Sequence, residues 1–126
     1  MSGITYDTGA LLAAEDADRR MWALHRRALE RGESPMVPAG VLGQAWRGGP
    51  QVLLARLLAG CQLEALSEEI ARSAGTLLGK ANAADVIDAS LVIGALARRD
   101  AIVTSDRSDV EALLDARRRR LQIIDV

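Results

Sequence analysis

The chain has 126 residues, a formal net charge of −1 and one cysteine. This length fits a single domain over residues 1–126. The lone cysteine excludes an internal disulfide, and the near-neutral charge excludes attraction of nucleic acid by the overall field of the chain. No run reaches the roughly 18 apolar residues of a membrane span, and the N-terminus lacks a signal-peptide pattern. We therefore expect a reduced, cytoplasmic protein without membrane contact.

The first half of the chain predicts two strands and three helices. Ile4-Thr5-Tyr6 is a short apolar run that ends in Asp7, which is typical of a buried strand with a polar group past its carboxyl end. The charged run at 15–20 interrupts the helical pattern that follows, so we expect that helix to break or restart there. The predicted elements in chain order are a strand over 3–7, a turn at Thr8-Gly9, a helix over 10–31, a strand over 36–38, and helices over 40–46 and 51–59.

The second half of the chain predicts three more strands and three more helices. Ser67 followed by two acidic residues is typical of a helix N-terminus. The predicted elements are a strand over 61–66, a helix beginning at 67–70, a loop over 79–84, a helix from 84 or 85 to 99, a strand over 101–104, a helix from 106 or 108 to 116, and a strand over 121–126. Strands that alternate with helices in this way predict an α/β fold with a parallel sheet.

Acidic residues from three elements are expected to meet at one edge of this sheet. Asp7 and Asp106 follow strands, and sites in open α/β sheets form outside the carboxyl ends of the strands. Asp85 and Asp88 are three residues apart at the start of a helix, so they share one side of it. Carboxylates held this close repel each other. A hard divalent cation would relieve the repulsion and could activate water for attack on a phosphodiester.

Each of these acids also has a structural interpretation. Asp85 and Asp106 both fit helix caps, whereas Asp88 lies inside an apolar run where an unpaired carboxylate is costly. Asp109 is predicted to decorate a solvated helix turn. His25, beside two arginines on a polar stretch, is predicted to lie on the surface.

Four stretches, taken in order, resemble the PIN-domain nucleases and most closely the toxins of VapBC toxin–antitoxin pairs. They run from Tyr6 to Leu12, from Val37 to Leu42, from Asp88 to Val92 and from Val103 to Arg107. The resemblance implies a three-layer PIN-like α/β domain with a central parallel sheet of four to five strands flanked by helices. It also implies a metal-dependent endoribonuclease that cuts RNA, often as a homodimer, and that a cognate antitoxin silences.

Carried over residue by residue, the resemblance matches Asp7, Asp88 and Asp106 to the acidic positions that would hold Mg²⁺ or Mn²⁺. Thr104 matches the hydroxyl that precedes the last acid and would position a ligand or water. The family has a glutamate where this chain has Gln44, which keeps one oxygen but loses the charge, and Asp85 is a candidate to compensate. This departure leaves open an alternative, a catalytically weak or inactive PIN-fold module that binds RNA or a partner protein.

Two other classes of protein share single features with the chain. Asp7-Thr8-Gly9 is the triplet of aspartic proteases, which need two such carboxylates and are β-rich. A phosphoacceptor receiver domain needs an Asp at the end of its middle strand, and Leu63 to Leu66 ends without one. The run from Arg117 to Arg120 fits either contacts to RNA phosphates or a solvated helix face.

Overall fold

The computed structural model describes residues 3–126 and contains one sheet of five parallel strands. The strands are β1 Ile4–Tyr6, β2 Met36–Pro38, β3 Gln62–Glu64, β4 Ala101–Thr104 and β5 Ile123–Asp125. Their order across the sheet is β3-β2-β1-β4-β5, so β1 and β4 lie next to each other near its centre and are buried. The predicted parallel sheet is confirmed, although β3 and β5 are shorter than the predicted strands over 61–66 and 121–126.

Helices cover both faces of this sheet. They are α1 Thr8–Glu15, α2 Arg19–Glu30, α3 Ala39–Ala45, α4 Val52–Ala59, α5 Glu68–Ala81, α6 Val86–Arg98 and α7 Arg107–Ala116. Successive side chains of a strand point to opposite faces. Tyr6 accordingly meets His25 of α2, while Thr5 meets Arg98 at the end of α6. The predicted α/β fold, with helices on both sides of a central parallel sheet, is therefore confirmed.

The predicted turn at Thr8-Gly9 is wrong, because α1 begins directly after β1. Asp7 is the N-cap of α1, and its carboxylate accepts a hydrogen bond from the backbone N–H of Thr8 at 2.7 Å. The backbone carbonyl of Asp7 accepts from Ala10 N–H at 3.0 Å. The capping aspartate thus allows the chain to pass from strand to helix without a separate turn.

The predicted helix over 10–31 is two helices. Ala17 lies between them with a φ of +61°, a left-handed conformation that no helix interior contains. Asp18 then caps α2, accepting a hydrogen bond from Met21 N–H at 2.8 Å. The break falls inside the charged run at 15–20, where the sequence predicts an interruption.

The predicted loop over 79–84 is wrong in its first three residues, because α5 continues to Ala81. Asn82 ends the helix with a φ of +54°, and Ala83 N–H donates to the carbonyl of Leu78 at 3.0 Å. Asn tolerates the left-handed conformation that closes a helix. Gly79, which suggested the start of the loop, is an ordinary position inside α5.

The surface prediction for His25 is wrong, because its side chain is buried. The imidazole Nδ1 lies 2.8 Å from the hydroxyl of Tyr6, and the ring meets Trp22 edge-on with ring centres 5.8 Å apart. Burial lowers the pKa of His25 and raises the pKa of Tyr6. The pair therefore joins α2 to the sheet as a neutral contact.

A buried ionic network lies on the opposite face of the sheet. The carboxylate of Asp100 accepts hydrogen bonds from Gly3 N–H at 3.0 Å, from Thr5 Oγ1 at 2.7 Å and from Arg98 Nε at 2.9 Å. Arg98 also pairs with Glu64. The network ties β1, β3 and the end of α6 together.

Among residues 3–126, no helix is both long and apolar enough to span a bilayer.

Candidate active site

The central strands β1 and β4 end at the same edge of the sheet. Tyr6 is paired with Val103, and the backbone N–H of Asp7 donates to the carbonyl of Val103 at 2.9 Å. The residues just past both strands are consequently neighbours in space, although they are almost one hundred positions apart in sequence. This edge is where open α/β sheets place their sites.

A chain of hydrogen bonds joins Asp7, Thr104 and Asp106 at this edge. The Thr104 hydroxyl donates to Oδ2 of Asp7 at 2.7 Å and accepts from the backbone N–H of Asp106 at 2.9 Å. Thr104 is fully buried and Asp7 is 7% exposed. Because Thr8 N–H binds the other oxygen of Asp7, this carboxylate is fixed in position. The hydroxyl of Thr104 therefore orients an acid directly.

Asp106 occupies the N-cap position of α7, yet its side chain makes no capping hydrogen bond. It is exposed to solvent. A capping role therefore does not account for this carboxylate, in contrast to those of Asp7, Asp18 and Asp85.

Asp85 and Asp88 lie at the start of α6. Asp85 is the N-cap, and its Oδ1 accepts from Ile87 N–H at 2.9 Å and from Asp88 N–H at 3.0 Å. The capping interpretation of Asp85 is thus confirmed. Asp88 is half-buried in the first turn of the helix and is not the cap.

The carboxylate of Asp88 lies in a field of other carboxylates. Burial, followed by repulsion from Asp85, Asp7, Asp109 and Asp106, raises the pKa of Asp88 to about 6. Every charged group that contributes to this shift is an acid. The four acids predicted from the sequence are therefore brought into one electrostatic neighbourhood, as expected for acids at the edge of a parallel sheet.

Asp109 belongs to the same cluster, so the prediction that it merely decorates a solvated turn is incomplete. A hydrogen bond shared with Asp106 is the main cause that raises the pKa of Asp109, and the charges of Asp106, Asp85 and Asp7 add to it. Asp109 follows Asp106 by three residues, the spacing that places two side chains on one side of a helix. That spacing was the signal in the sequence that identifies it.

A cleft opens between the C-terminal end of α5, the start of α6 and the first two turns of α7. Its volume is about 180 Å³. Its lining combines the acids Asp85, Asp88 and Asp109 with apolar side chains that include Leu78 and Leu113. The acidic side chains thus face a space that a ligand can enter.

Gln44 of α3 reaches the same region through Thr8. The Thr8 hydroxyl donates a hydrogen bond to Oε1 of Gln44, and Thr8 directly follows Asp7. Helix α3 is held near α6 at a close approach between Gly40 and Ile87. The carbonyl oxygen of Gln44 therefore accepts a hydrogen bond from a hydroxyl that the sequence pattern does not predict as its partner.

Two small residues allow the β1–α1 and β4–α7 connections to approach each other closely. A Cβ atom on Gly9 would lie 2.6 Å from Cβ of Ser105 and 2.9 Å from its backbone nitrogen. Real Cβ atoms essentially never come so close. Gly9 therefore allows the start of α1 to pack closely against Ser105, beside Asp7 and Asp106.

The donor set agrees in kind with a hard divalent cation, which prefers carboxylate oxygens. Within residues 3–126, however, no three His, Cys, Asp or Glu side chains are close enough together to hold one ion in common. The acids of the described residues therefore repel one another without converging on one point. Asp7, Asp88 and Asp106 stay the predicted ligands, and Asp106, exposed and without a capping bond, is the one with most room to reorient.

Comparisons with known proteins give likeness in structure alone. No family model and no curated protein matches the chain. A chain of FitAB bound to the IR36 DNA fragment is 14% identical, with 97% of this chain and 94% of that chain covered and a TM-score of 0.67. A chain of VapBC2 from Rickettsia felis, bound to a DNA fragment from their promoter, is 13% identical, with 98% of each chain covered and a TM-score of 0.68. The chain has a PIN-like fold. The resemblance to PIN-domain proteins of the VapBC type is thereby confirmed at the level of the fold.

Proposed function

We propose that this chain is a metal-dependent endoribonuclease, the toxin of a type II toxin–antitoxin pair, that hydrolyses RNA phosphodiesters with Mg²⁺ or Mn²⁺. The observation that carries the proposal is the group of carboxylates at the carboxyl edge of the sheet, where Thr104 orients Asp7 and where Asp85 and Asp88 lie together at the start of α6. Burial and repulsion from the neighbouring acids raise the pKa of Asp88 to about 6. A protein gains no stability from acids that repel one another at neutral pH. A bound cation would neutralise this repulsion and would explain why the acids are grouped.

The proposed ligands are Asp7, Asp88 and Asp106. Asp7 is already oriented by Thr104 and by the N–H of Thr8. Asp88 and Asp106 would turn toward it as the cation neutralises their repulsion. Asp85, which caps α6, would keep Asp88 at the start of the helix.

A divalent cation at this position would supply Lewis acidity and lower the pKa of a water for in-line attack on a phosphodiester. The residues of the chain have the remaining tasks. Thr104 holds the carboxylate of Asp7 in one orientation. Asp88 would offer a second carboxylate oxygen to the cation from the start of α6. Thr8 and Gln44 join the start of α1 to α3 through their hydrogen bond.

Cleavage of a mixed RNA pool tests the proposal. Purified protein is incubated with the pool in Mn²⁺, in Mg²⁺ and in excess chelator. We expect cleavage that requires metal and that is lost when Asp7→Asn and Asp106→Asn are combined. Cleavage that persists in the chelator, or that survives both substitutions, would contradict the site assignment.

A second candidate is a catalytically weak or inactive PIN-fold module that binds RNA or a partner protein. It is favoured by Gln44, an uncharged amide whose oxygen already accepts a hydrogen bond from Thr8. Gln44→Glu separates the two candidates, because a carboxylate would accept the same hydrogen bond and add a charge. We expect metal-dependent cleavage to rise about tenfold, the scale of effects from groups around a metal site. Cleavage that is absent from both proteins would favour the binding module.

The proposal includes a cognate antitoxin as partner and a homodimer as the working state. Two of the similar solved structures are the FitAB and VapBC2 complexes. Three large apolar side chains of this chain, Leu12, Trp46 and Val52, are 44%, 42% and 67% exposed. Exposed apolar groups of this size are often covered by a partner. Light scattering that gives the mass of one chain would contradict the homodimer.

A further inference from the structure

We propose that RNA bound at the acidic cleft runs along α7 and that Lys80, Arg117 and Arg118 bind its phosphates. This inference rests on the proposed function, because it identifies what holds the substrate of that site. It concerns a groove at the C-terminal ends of α5 and α7, which we call the basic groove. The groove is lined by Lys80, Ala116, Arg117 and Arg118.

The electrostatics of the cleft create the need for such a surface. RNA carries a negative charge at each phosphate, and binding to it depends on Lys and Arg side chains. The net charge of the chain is −1, and the cleft is lined by Asp85, Asp88 and Asp109. A polyanion is therefore repelled from the cleft unless cations nearby hold it in place.

The cations of the basic groove are not committed to partners elsewhere. Lys80, Arg117 and Arg118 are exposed. None of them takes part in the ion pairs found in residues 3–126. Arg107 at the other end of α7 differs, because it pairs with Glu111 and Asp125. The basic groove is thus the end of α7 whose charges remain available to a ligand.

The acidic cleft and the basic groove lie along one side of α7. Asp109 and Leu113 line the cleft, and Ala116 lines the groove, which are positions with the three- and four-residue spacing of a single helix face. The separation of seven positions between 109 and 116 corresponds to about 10 Å along a helix axis. Each strand of a duplex carries a phosphate about every 3.4 Å of axis. One strand can therefore contact both surfaces within a few nucleotides.

The two surfaces also share the last turn of α5. Leu78 and Ala81 line the cleft, and Lys80 lines the groove. Both walls of the path from one surface to the other therefore come from α5 and α7.

Basic residues at helix C-termini also interact favourably with the helix dipole, and this provides a simpler explanation for the cluster. It does not account for Arg118. That residue follows the cap of α7 with a φ of +54°, a conformation that Gly or Asn adopts at lower cost. An arginine at this position places a third positive charge at the groove, which phosphate binding explains.

Binding of single-stranded RNA in excess chelator tests the inference without cleavage. The groove variant is Lys80→Gln, Arg117→Gln and Arg118→Gln. The matched control is Arg19→Gln, Arg26→Gln and Arg56→Gln, which removes the same charge from exposed positions that line neither surface. The probe is a short, end-labelled RNA of mixed sequence, titrated by fluorescence anisotropy at several salt concentrations. Thermal unfolding checks that both variants are folded.

We expect the groove variant to bind RNA about tenfold more weakly at moderate salt and the slope of log K against log salt to become shallower by about 2, since each phosphate contact on a single strand contributes about 0.7. The control is expected to bind like the original protein. Equal losses in both variants, no loss in either, or no binding of RNA by the original protein would each overturn the inference.

Failure of the proposed nuclease is scored separately, by incubating the original protein with the same RNA and Mn²⁺. Groove-dependent binding without cleavage would leave the phosphate site standing and contradict the nuclease. Cleavage by a protein whose RNA binding does not depend on the groove would support the nuclease and contradict the phosphate site.

Discussion

The hydroxyl of Thr104 donates a 2.7 Å hydrogen bond to Oδ2 of Asp7. Asp7 directly follows β1, and Thr104 is the last residue of β4. Both residues are buried. The same hydroxyl accepts from the backbone N–H of Asp106. Thr104 therefore links two of the proposed metal ligands and sets the distance between the connections that carry them.

Removal of this hydroxyl should cost stability and metal binding together. Thr104→Val keeps the side-chain shape but removes the hydrogen-bond partner of Asp7 Oδ2 and of the Asp106 N–H. We expect a loss of about 1–3 kcal/mol in the free energy of unfolding and a weaker stabilisation by Mn²⁺, both measured by urea unfolding. Thr104→Ser restores the hydroxyl and should behave nearly as the original protein. If the valine variant responds to Mn²⁺ normally, Thr104 has no part in the site.

Asp88 should make the metal-free protein less stable as pH rises. Its pKa of about 6 in the folded chain lies above the ordinary value of 3.8, so the folded state binds more protons than the unfolded state between these values. Stability then falls as pH rises from about 4 to 6 and stays lower above that range. Asp88→Asn should therefore gain on the order of 1 kcal/mol near neutral pH, after allowance for solvent screening of this half-exposed group.

The measurement is urea unfolding in chelator across this pH range, with Asp115→Asn as control. Asp115 is exposed on α7 and does not contribute to the shift at Asp88. The gain from Asp88→Asn should be larger above pH 6 than near pH 4, whereas the control should show no such window. A gain that does not depend on pH would rule out Asp88 as the titrating group.

Asp100 should be a stability residue far from the chemistry. It is 4% exposed and accepts hydrogen bonds from Gly3, Thr5 and Arg98. Asp100→Asn would leave the Arg98 charge with a weaker partner, which we expect to cost about 3 kcal/mol of unfolding free energy. Glu68→Gln breaks the exposed pair with Arg72 and should cost less than 1 kcal/mol. Similar losses in the two variants would contradict the network's structural role.

Gly9 should be intolerant of even one methyl group. Its Cβ would lie 2.9 Å from the backbone nitrogen of Ser105, so Gly9→Ala must separate the two connections at the carboxyl edge of the sheet. We expect a loss of about 1–3 kcal/mol, as for other overpacked sites, together with loss of RNA cleavage. Gly75→Ala in the open middle of α5 should instead gain up to about 1 kcal/mol. Thermal unfolding of both variants decides the matter.

The strand ends were predictable because their signals are local. Apolar runs such as Ile102-Val103 stop at hydroxyls and carboxylates, and parallel strands bring such ends to one edge. The placement of Asp7, Thr104 and Asp106 follows from that rule. Asp109 was predictable from an equally local rule, because side chains three residues apart lie on the same side of a helix. The spacing from Asp106 to Asp109 therefore assigns Asp109 to the same cluster.

Other features depend on contacts between distant residues. His25 stands among arginines in the sequence, but its neighbours in space are Tyr6 and Trp22, which only the docking of α2 on the sheet reveals. Likewise, the hydrogen bond between Thr8 and Gln44 depends on how α3 packs. The start of α1 differs from the prediction because Asp7 caps the helix directly after the strand, without a turn. The end of α5 differs because Asn82, and not Gly79, adopts the left-handed conformation that closes the helix.

The central claim is that Asp7, Asp88 and Asp106 form one site for a divalent cation. The most direct test is the thermal unfolding midpoint as a function of Mn²⁺ concentration, for the original protein, for Asp7→Asn with Asp106→Asn, and for Asp16→Asn with Asp115→Asn as a charge-matched control. A ligand at one hundred times its Kd stabilises the folded state by about 2.7 kcal/mol. We predict a rise of the midpoint with Mn²⁺ in the original protein and the control, and none in the site variant. No rise in the original protein, or an equal rise in all three, would contradict the account.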